Sequence, residues 1–217
     1  GFLKNCNNAV EKYAKKDNDI LLLNSDTKVT DNFLEELQAV MNNNDNIASV
    51  SPRTNNATIA TIPIKSMKDK NLTPEKSYNF YIRYHNKLPK FNISPVSHGY
   101  CILIRRKVIK KIGLFDEVFG KGYGEEVDFC MRARQKGYEN AICNSAFVYH
   151  LEARSFGVNR KKELVKNSEK IVDKRYPSYK RQVRKYTLNQ IDHEYIACGL
   201  LLFKPARIVI VKIRRFF

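Results

Sequence analysis

A single α/β domain built on a mostly parallel sheet is what this 217-residue chain predicts, and three observations predict it. Short continuous apolar runs such as Ile20-Leu21-Leu22-Leu23 have the length and two-sided hydrophobicity of strands buried on both faces. Elsewhere apolar residues recur at three and four, as Phe33, Leu34, Leu37, Val40 and Met41 do, which gives a helix one inward face. The two patterns alternate along the chain, and that alternation is how helices come to flank a parallel sheet.

Taken in order, Asn7 to Lys16 reads as a helix with Ala9, Val10, Tyr13 and Ala14 on one side, followed by the strand ending at Leu23. Asp31 is placed to cap the next helix, which Asn42-Asn43-Asn44 closes. Ile47 to Val50 is a second strand, expected to stop at Ser51-Pro52. Residues 53–95 are rich in Asn, Lys and Pro and read as an insertion near a site, with Tyr78, Phe80, Tyr81 and Tyr84 marking one aromatic-faced helix. Val96 to Ile104 returns to strand character, and Arg106 to Ile112 is a short basic helix stopped by Gly113. After a loop holding Gly120, Gly122 and Gly124, a helix runs from Glu125 to about Lys136, and a strand from Ala141 to Tyr149 delivers His150 at its end. Beyond Gly157 the chain is helical and basic; Arg160 to Arg175 should close the domain with Leu164, Val165, Ser168, Ile171 and Val172 facing inward. This divides the chain into a domain over 1–176 and a basic, partly amphipathic extension over 177–217.

Charge narrows the partners. Lys plus Arg number 39 against 22 Asp plus Glu, a net charge of +17 that favours something anionic. The excess is uneven: residues 1–150 hold 22 basic and 16 acidic side chains, residues 151–217 hold 17 and 6. Residues 195–217 mix Ile, Leu, Val and Phe with Lys204, Arg207, Lys212, Arg214 and Arg215, a composition that suits an anionic membrane surface, a final core helix or a linker alike. No stretch reaches the roughly 18 apolar residues of a spanning helix. Five scattered cysteines without a CxxC pair argue against a disulfide framework or zinc knuckle and for a reducing, cytoplasmic compartment, with peripheral contact at the inner face of a membrane. Gly1-Phe2-Leu3-Lys4 enters directly into folded sequence, so the chain is expected to begin inside a domain.

Three groups of residues could carry chemistry. Asn24-Ser25-Asp26-Thr27 follows a strand end, where ligands of α/β sheets sit; Asp26 is a hard oxygen ligand suited to magnesium or manganese, though all four residue types also favour turns. Glu125, Glu126 and Asp128 open a helix directly after Gly122 and Gly124; Glu125 and Asp128, three apart, share a face while Glu126 points elsewhere. The helix dipole alone would favour them there, but adjacent carboxylates also raise the proton affinity of one member, as a general base requires. His150 at a strand end and His98 before Gly99 are most simply hydrogen-bonded structural residues when each is taken singly.

Six segments occurring in order change that balance: Gly1-Phe2 with Asn7, Leu22 to Thr27, Gly99-Tyr100-Cys101, Ile112 to Glu117, Gly124 to Cys130, and Val148-Tyr149-His150. Together, from Gly1 to about Tyr176, they resemble a family 2 glycosyltransferase of the rhamnosyltransferase-like branch. The resemblance implies a GT-A fold, Rossmann-like, which binds a nucleoside-diphosphate sugar with a divalent ion and transfers the sugar, with inversion, to a glycan or lipid-linked acceptor. It implies donor binding by Asn7, Asn24 and Asp26, with Asn24 standing where the family's Asp-x-Asp motif has its first acid. Asp26 and His150 would hold the metal, Glu126 would be the base with Glu125 orienting the acceptor, and Asp128, His98 and Gly99 would lie on the acceptor side. Glu126 is one methylene longer than the family's Asp. The family's nucleobase-binding strands have no counterpart here, so the resemblance also implies a truncated domain, inactive if those strands are essential. Two readings of other classes compete with it. A nucleic-acid-binding module accounts for the charge but leaves the acidic cluster unexplained, so no nucleic-acid partner is expected. A metal-dependent phosphohydrolase using Asp26, Glu125 and Asp128 would gather more His and Asp ligands than the chain offers.

Overall fold

The computed structural model describes residues 2–15, 17–64, 71–120, 122–151 and 158–199. In chain order the elements are α1 (Phe2–Tyr13), β1 (Ile20–Leu23), β2 (Thr27–Val29), α2 (Phe33–Asn42), β3 (Ile47–Arg53), α3 (Pro74–Tyr84), β4 (Phe91–Ser94), β5 (Cys101–Ile104), α4 (Arg106–Ile112), α5 (Glu125–Gln135), β6 (Glu139–His150), α6 (Val158–Arg175) and α7 (Tyr179–Ala197). Ser155, Phe156, Gly157 and the basic segment 200–217 lie outside the described residues.

The six strands form one sheet in the order β1-β5-β3-β6-β2, with β4 also paired to β6. The expected mostly parallel sheet is instead mixed: β3 and β6 pair parallel, whereas β1–β5, β3–β5, β4–β6 and β2–β6 are antiparallel. Because β5 is antiparallel to both β1 and β3, those two strands run the same way, and so does β6. The alternating pattern therefore reports β1, β3 and β6 correctly. It is blind to β5, which inserts between β1 and β3 in the opposite sense, because an apolar run reports burial on two faces and carries no direction.

Other boundaries move for local reasons. β3 continues through Ser51-Pro52 to Arg53, every residue buried; its register against β6 shifts between Pro52 and Arg53, where a strand tolerates a residue without an N–H. Asn32, not Asp31, occupies the N-cap of α2, in a left-handed conformation (φ 57°) that Asn tolerates, and its side chain makes no capping bond. The strand expected from Val96 is confined to Cys101–Ile104, and β4 was missed because Phe91-Asn92-Ile93-Ser94 is short and half polar.

The core lies between the sheet and its helices. Leu37, Val40 and Met41 of α2, Val108 of α4 and Phe129, Cys130 and Ala133 of α5 cover β3, β5 and β6. α6 sends Ser168 and Val172 inward as its periodicity predicts. α7 adds Tyr186 to the same core and buries Gln190, Glu194 and Ala197. Among the described residues no helix is long and apolar enough to cross a membrane.

Candidate active site

At the carboxyl end of β1 the chain turns through Asn24 to Asp26 and re-enters the sheet as β2. The turn is closed at Asn24, whose carbonyl accepts from the Thr27 hydroxyl at 2.6 Å and whose N–H donates to the Tyr100 carbonyl at 2.9 Å. β2 pairs with the last residues of β6, Thr27 opposite His150, and the Leu151 N–H donates to the Asp26 carbonyl at 2.9 Å. The tetrapeptide is therefore a turn, and the turn aims a carboxylate: Asp26 Oδ2 lies 3.6 Å from His150 Nε2.

His150 is held on every side. Asn55 takes its backbone in a reciprocal pair, Nδ2 donating to the His150 carbonyl and Oδ1 accepting from its N–H, both at 2.9 Å. Nδ1 lies 2.7 Å from the Asn56 carbonyl, an acceptor only, so Nδ1 carries a proton and Nε2 is the nitrogen turned toward Asp26. The imidazole stacks on Tyr100, with centroids 5.3 Å apart and 18° between planes. The Tyr100 hydroxyl is tied to the Pro52 carbonyl. His98 stacks on the other side of this array, 6.3 Å from Tyr100; burial first, then the charges of His150 and Arg53, lower its pKa to about 4, so it is a neutral floor. Gly99 borders open space, since a Cβ there would meet nothing within 4 Å.

The second group sits at the start of α5. Gly122, Tyr123 and Gly124 all have positive φ (127°, 72° and 90°), a sequence of left-handed residues that only glycine tolerates readily. Gly124 is also needed for space, because a Cβ would come within 3.1 Å of the Phe119 ring and 3.3 Å of Ser168. This turn delivers Glu125 inward, 5 % exposed, with Oε2 lacking a hydrogen-bond partner. Burial, then the charge of Glu126, pushes its pKa up to about 8. Burial also raises Glu126, opposed by the backbone N–H groups of Gly124, Glu126 and Val127 in the first turn. The 97–100 segment touches both α5 and His150: the Ser97 N–H donates to Cys130 Sγ, one helical turn beyond Glu126, and Tyr100 stacks on His98 and on His150.

A carboxyl whose folded pKa is raised favours the folded state while protonated, so its contribution is complete below about 4.5 and is lost as pH rises through about 8. Glu125→Gln removes that loss. The variant's melting temperature is expected to exceed that of the wild type by several degrees above pH 8 and to converge with it in acid. Parallel melting curves for the two proteins across this window would show that Glu125 is not the buried acid.

Two expected site residues have other tasks. Asp128 shares the inward face of α5 with Glu125, as its spacing predicts, and its carboxylate is turned to α6. Fully buried, it accepts from Arg132 Nε, Arg175 Nη1 and the Tyr176 hydroxyl, each at 2.7 Å, which makes it the joint between α5 and α6. Asn7 pins α1 to the chain before α5, Nδ2 donating to the Phe115 carbonyl at 2.8 Å and Oδ1 accepting from its N–H at 3.2 Å. Conversely, Asn55, Asn56 and Tyr100 were missed. For the Asn pair the available signal was its place just past a buried strand, in a stretch read only as an insertion.

The α/β sheet is GT-A-like, with a carboxylate and a histidine in contact at its strand ends and an acidic pair opening α5. The chain belongs to glycosyltransferase family 2: the family model described as "Glycosyltransferase like family 2" matches residues 1–165. It is also similar to the low-salt glycan biosynthesis hexosyltransferase Agl10 of Haloferax volcanii, 30% identical over 135 residues that make up 60% of this chain and 41% of that protein. The chain thus spans less than half the length of that relative.

Proposed function

We propose that the protein transfers a sugar from a nucleoside-diphosphate donor to a glycan or lipid-linked acceptor, with inversion at the anomeric carbon. The observation that carries this reading is the orientation of His150: with Nδ1–H fixed on the Asn56 carbonyl, Nε2 faces Asp26 as a metal-binding imidazole does when a backbone carbonyl sets its tautomer. Asp26 and His150, an oxygen and a nitrogen donor 3.6 Å apart, would suit an ion that takes its remaining ligands from phosphate oxygens, as magnesium and manganese do. Such an ion, when bound, would neutralise charge on the leaving pyrophosphate. The Asn24 turn would place the donor against these two side chains.

On the acceptor side, burial raises the proton affinity of both glutamates, opposed at Glu126 by the backbone donors of the first turn, and a carboxylate of raised proton affinity is what a general base requires. Glu126 would accept the acceptor's hydroxyl proton as that oxygen bonds to the anomeric carbon and the bond to the pyrophosphate oxygen breaks. Glu125 would donate a hydrogen bond that orients the acceptor. Open space beside Gly99 supports an acceptor path along the 97–100 segment. The basic excess beyond residue 150 supports peripheral contact with an anionic membrane at its cytoplasmic face, where lipid-linked acceptors would be met.

Asp26→Asn and His150→Ala are expected to lower transfer by about 10²-fold or more while leaving the melting temperature of the ligand-free protein within a few degrees. The assay is radiolabelled sugar incorporation from a panel of UDP-, GDP- and dTDP-sugars with manganese or magnesium. Undiminished turnover by either purified variant would reject the assignment.

A further inference from the structure

Behind the site, α7 turns an unexpectedly polar face inward. Tyr186, Gln190 and Glu194, spaced by four, are each more than nine-tenths buried, and the charge of Arg53, wholly buried at the end of β3, acts on Tyr186 and Glu194. Glu194 Oε2 accepts from the Ile64 N–H at 2.8 Å. Arg53 donates from Nε to Asn144 Oδ1 at 2.7 Å and from Nη1 to the Ile59 carbonyl at 3.4 Å. Arg53 Nη2, Glu194 Oε1, the Tyr186 hydroxyl and both ends of the Gln190 amide complete no hydrogen bond of ordinary geometry. Burial raises Glu194 to about 7, and Arg53 is the strongest influence pulling it back.

Arg53 and Ile64 are the two feet of one loop. Within it the Thr54 N–H donates to the Ala60 carbonyl, the Ile62 N–H to the Thr54 carbonyl and the Ala57 N–H to the Thr61 hydroxyl, so the loop moves as a unit. Its outer part is Asn55 and Asn56, which fix the backbone, tautomer and ring direction of His150. We propose that Glu194 is a positioning residue for the site: it staples the far foot of the 53–64 loop through the Ile64 N–H, with its charge facing the buried Arg53 at the near foot, and the loop in turn aims His150 at Asp26. The inference rests on the sugar-transfer reading only for what His150 does once aimed.

The chain has four histidines, so ring nitrogen signals can be assigned by NMR, and the geometry can be read without an activity assay. At a fixed alkaline pH, wild-type His150 is expected to show the Nδ1–H tautomer. Glu194→Ala removes both the hydrogen bond and the charge and should shift the His150 ring nitrogens toward the averaged pattern of a free imidazole. Glu194→Gln, which can still accept from Ile64 but carries no charge against Arg53, should shift them less. In the transferase assay Glu194→Ala should raise the donor KM about 10- to 100-fold, with a smaller change in kcat and substantial recovery in Glu194→Gln. Unchanged His150 signals in a folded Glu194→Ala protein overturn the inference; if that variant does not fold, unchanged signals in Glu194→Gln do so. Shifted signals in a protein whose wild type transfers no sugar uphold the positioning and remove the sugar-transfer reading alone.

Discussion

Glu126→Gln is expected to lower the turnover number by about 10²- to 10⁴-fold with little change in donor KM, because the amide keeps the size and the hydrogen-bonding reach of the side chain but cannot take a proton. The effect should fall on the acceptor half of the reaction. Hydrolysis or exchange of the donor in the absence of acceptor, if present in the wild type, should persist. The folded state should be undisturbed or slightly favoured, since burial already penalises the charged form of this carboxyl. Steady-state kinetics with donor and acceptor varied separately provide the check. A variant retaining a tenth or more of wild-type turnover would take the base role from Glu126, and Glu125 would be the carboxylate to try next.

The second large effect concerns stability. Asp128→Ala leaves Arg132, Arg175 and Tyr176 without the carboxylate on which all three converge. Breaking a buried ion pair from one side costs roughly 3–5 kcal/mol when the other partner stays buried. The Arg132 and Arg175 side chains remain 23% and 36% exposed, and water can reclaim part of that loss. About 3 kcal/mol is therefore expected, equivalent to a fall of roughly 6–12 °C in melting temperature for a protein of this size. Asp128→Asn, which keeps an acceptor but no charge, should lie between. Urea unfolding measured at a pH where Asp is ionised would decide, and an unchanged midpoint in Asp128→Ala would show that α6 does not depend on this joint.

Where periodicity and burial coincide, the fold was readable in advance. Arg106–Ile112, Glu125–Gln135 and the strand delivering His150 emerge within a residue or two of expectation, each bounded by glycine or by a switch between periods of two and 3.6. Strand direction was not readable, because Cys101-Ile102-Leu103-Ile104 would look the same in either sense. α7 hides for a related reason: its inward face carries Tyr186, Gln190 and Glu194, so an apolar-stripe rule finds little to follow. Asp26 and His150 were legible as a set through the order of six short segments, and the structure adds the 3.6 Å contact that neither residue announces alone. Asp128 misled because spacing of three identifies a shared helix face without saying what that face packs against.

One strand bears on how the molecule assembles. The 12 residues of β6 take β3 on one flank, and β4 and then β2 as antiparallel neighbours along their length. These partners come from segments roughly 50 to 120 positions earlier in the chain. Long loops must close before any of these ladders forms, which makes for slow, cooperative acquisition of native order. His150, the final residue of that strand, sits opposite Thr27 of β2, so loosening of that end of the ribbon would part the imidazole from Asp26 while the ladders with β3 and β4 stay closed.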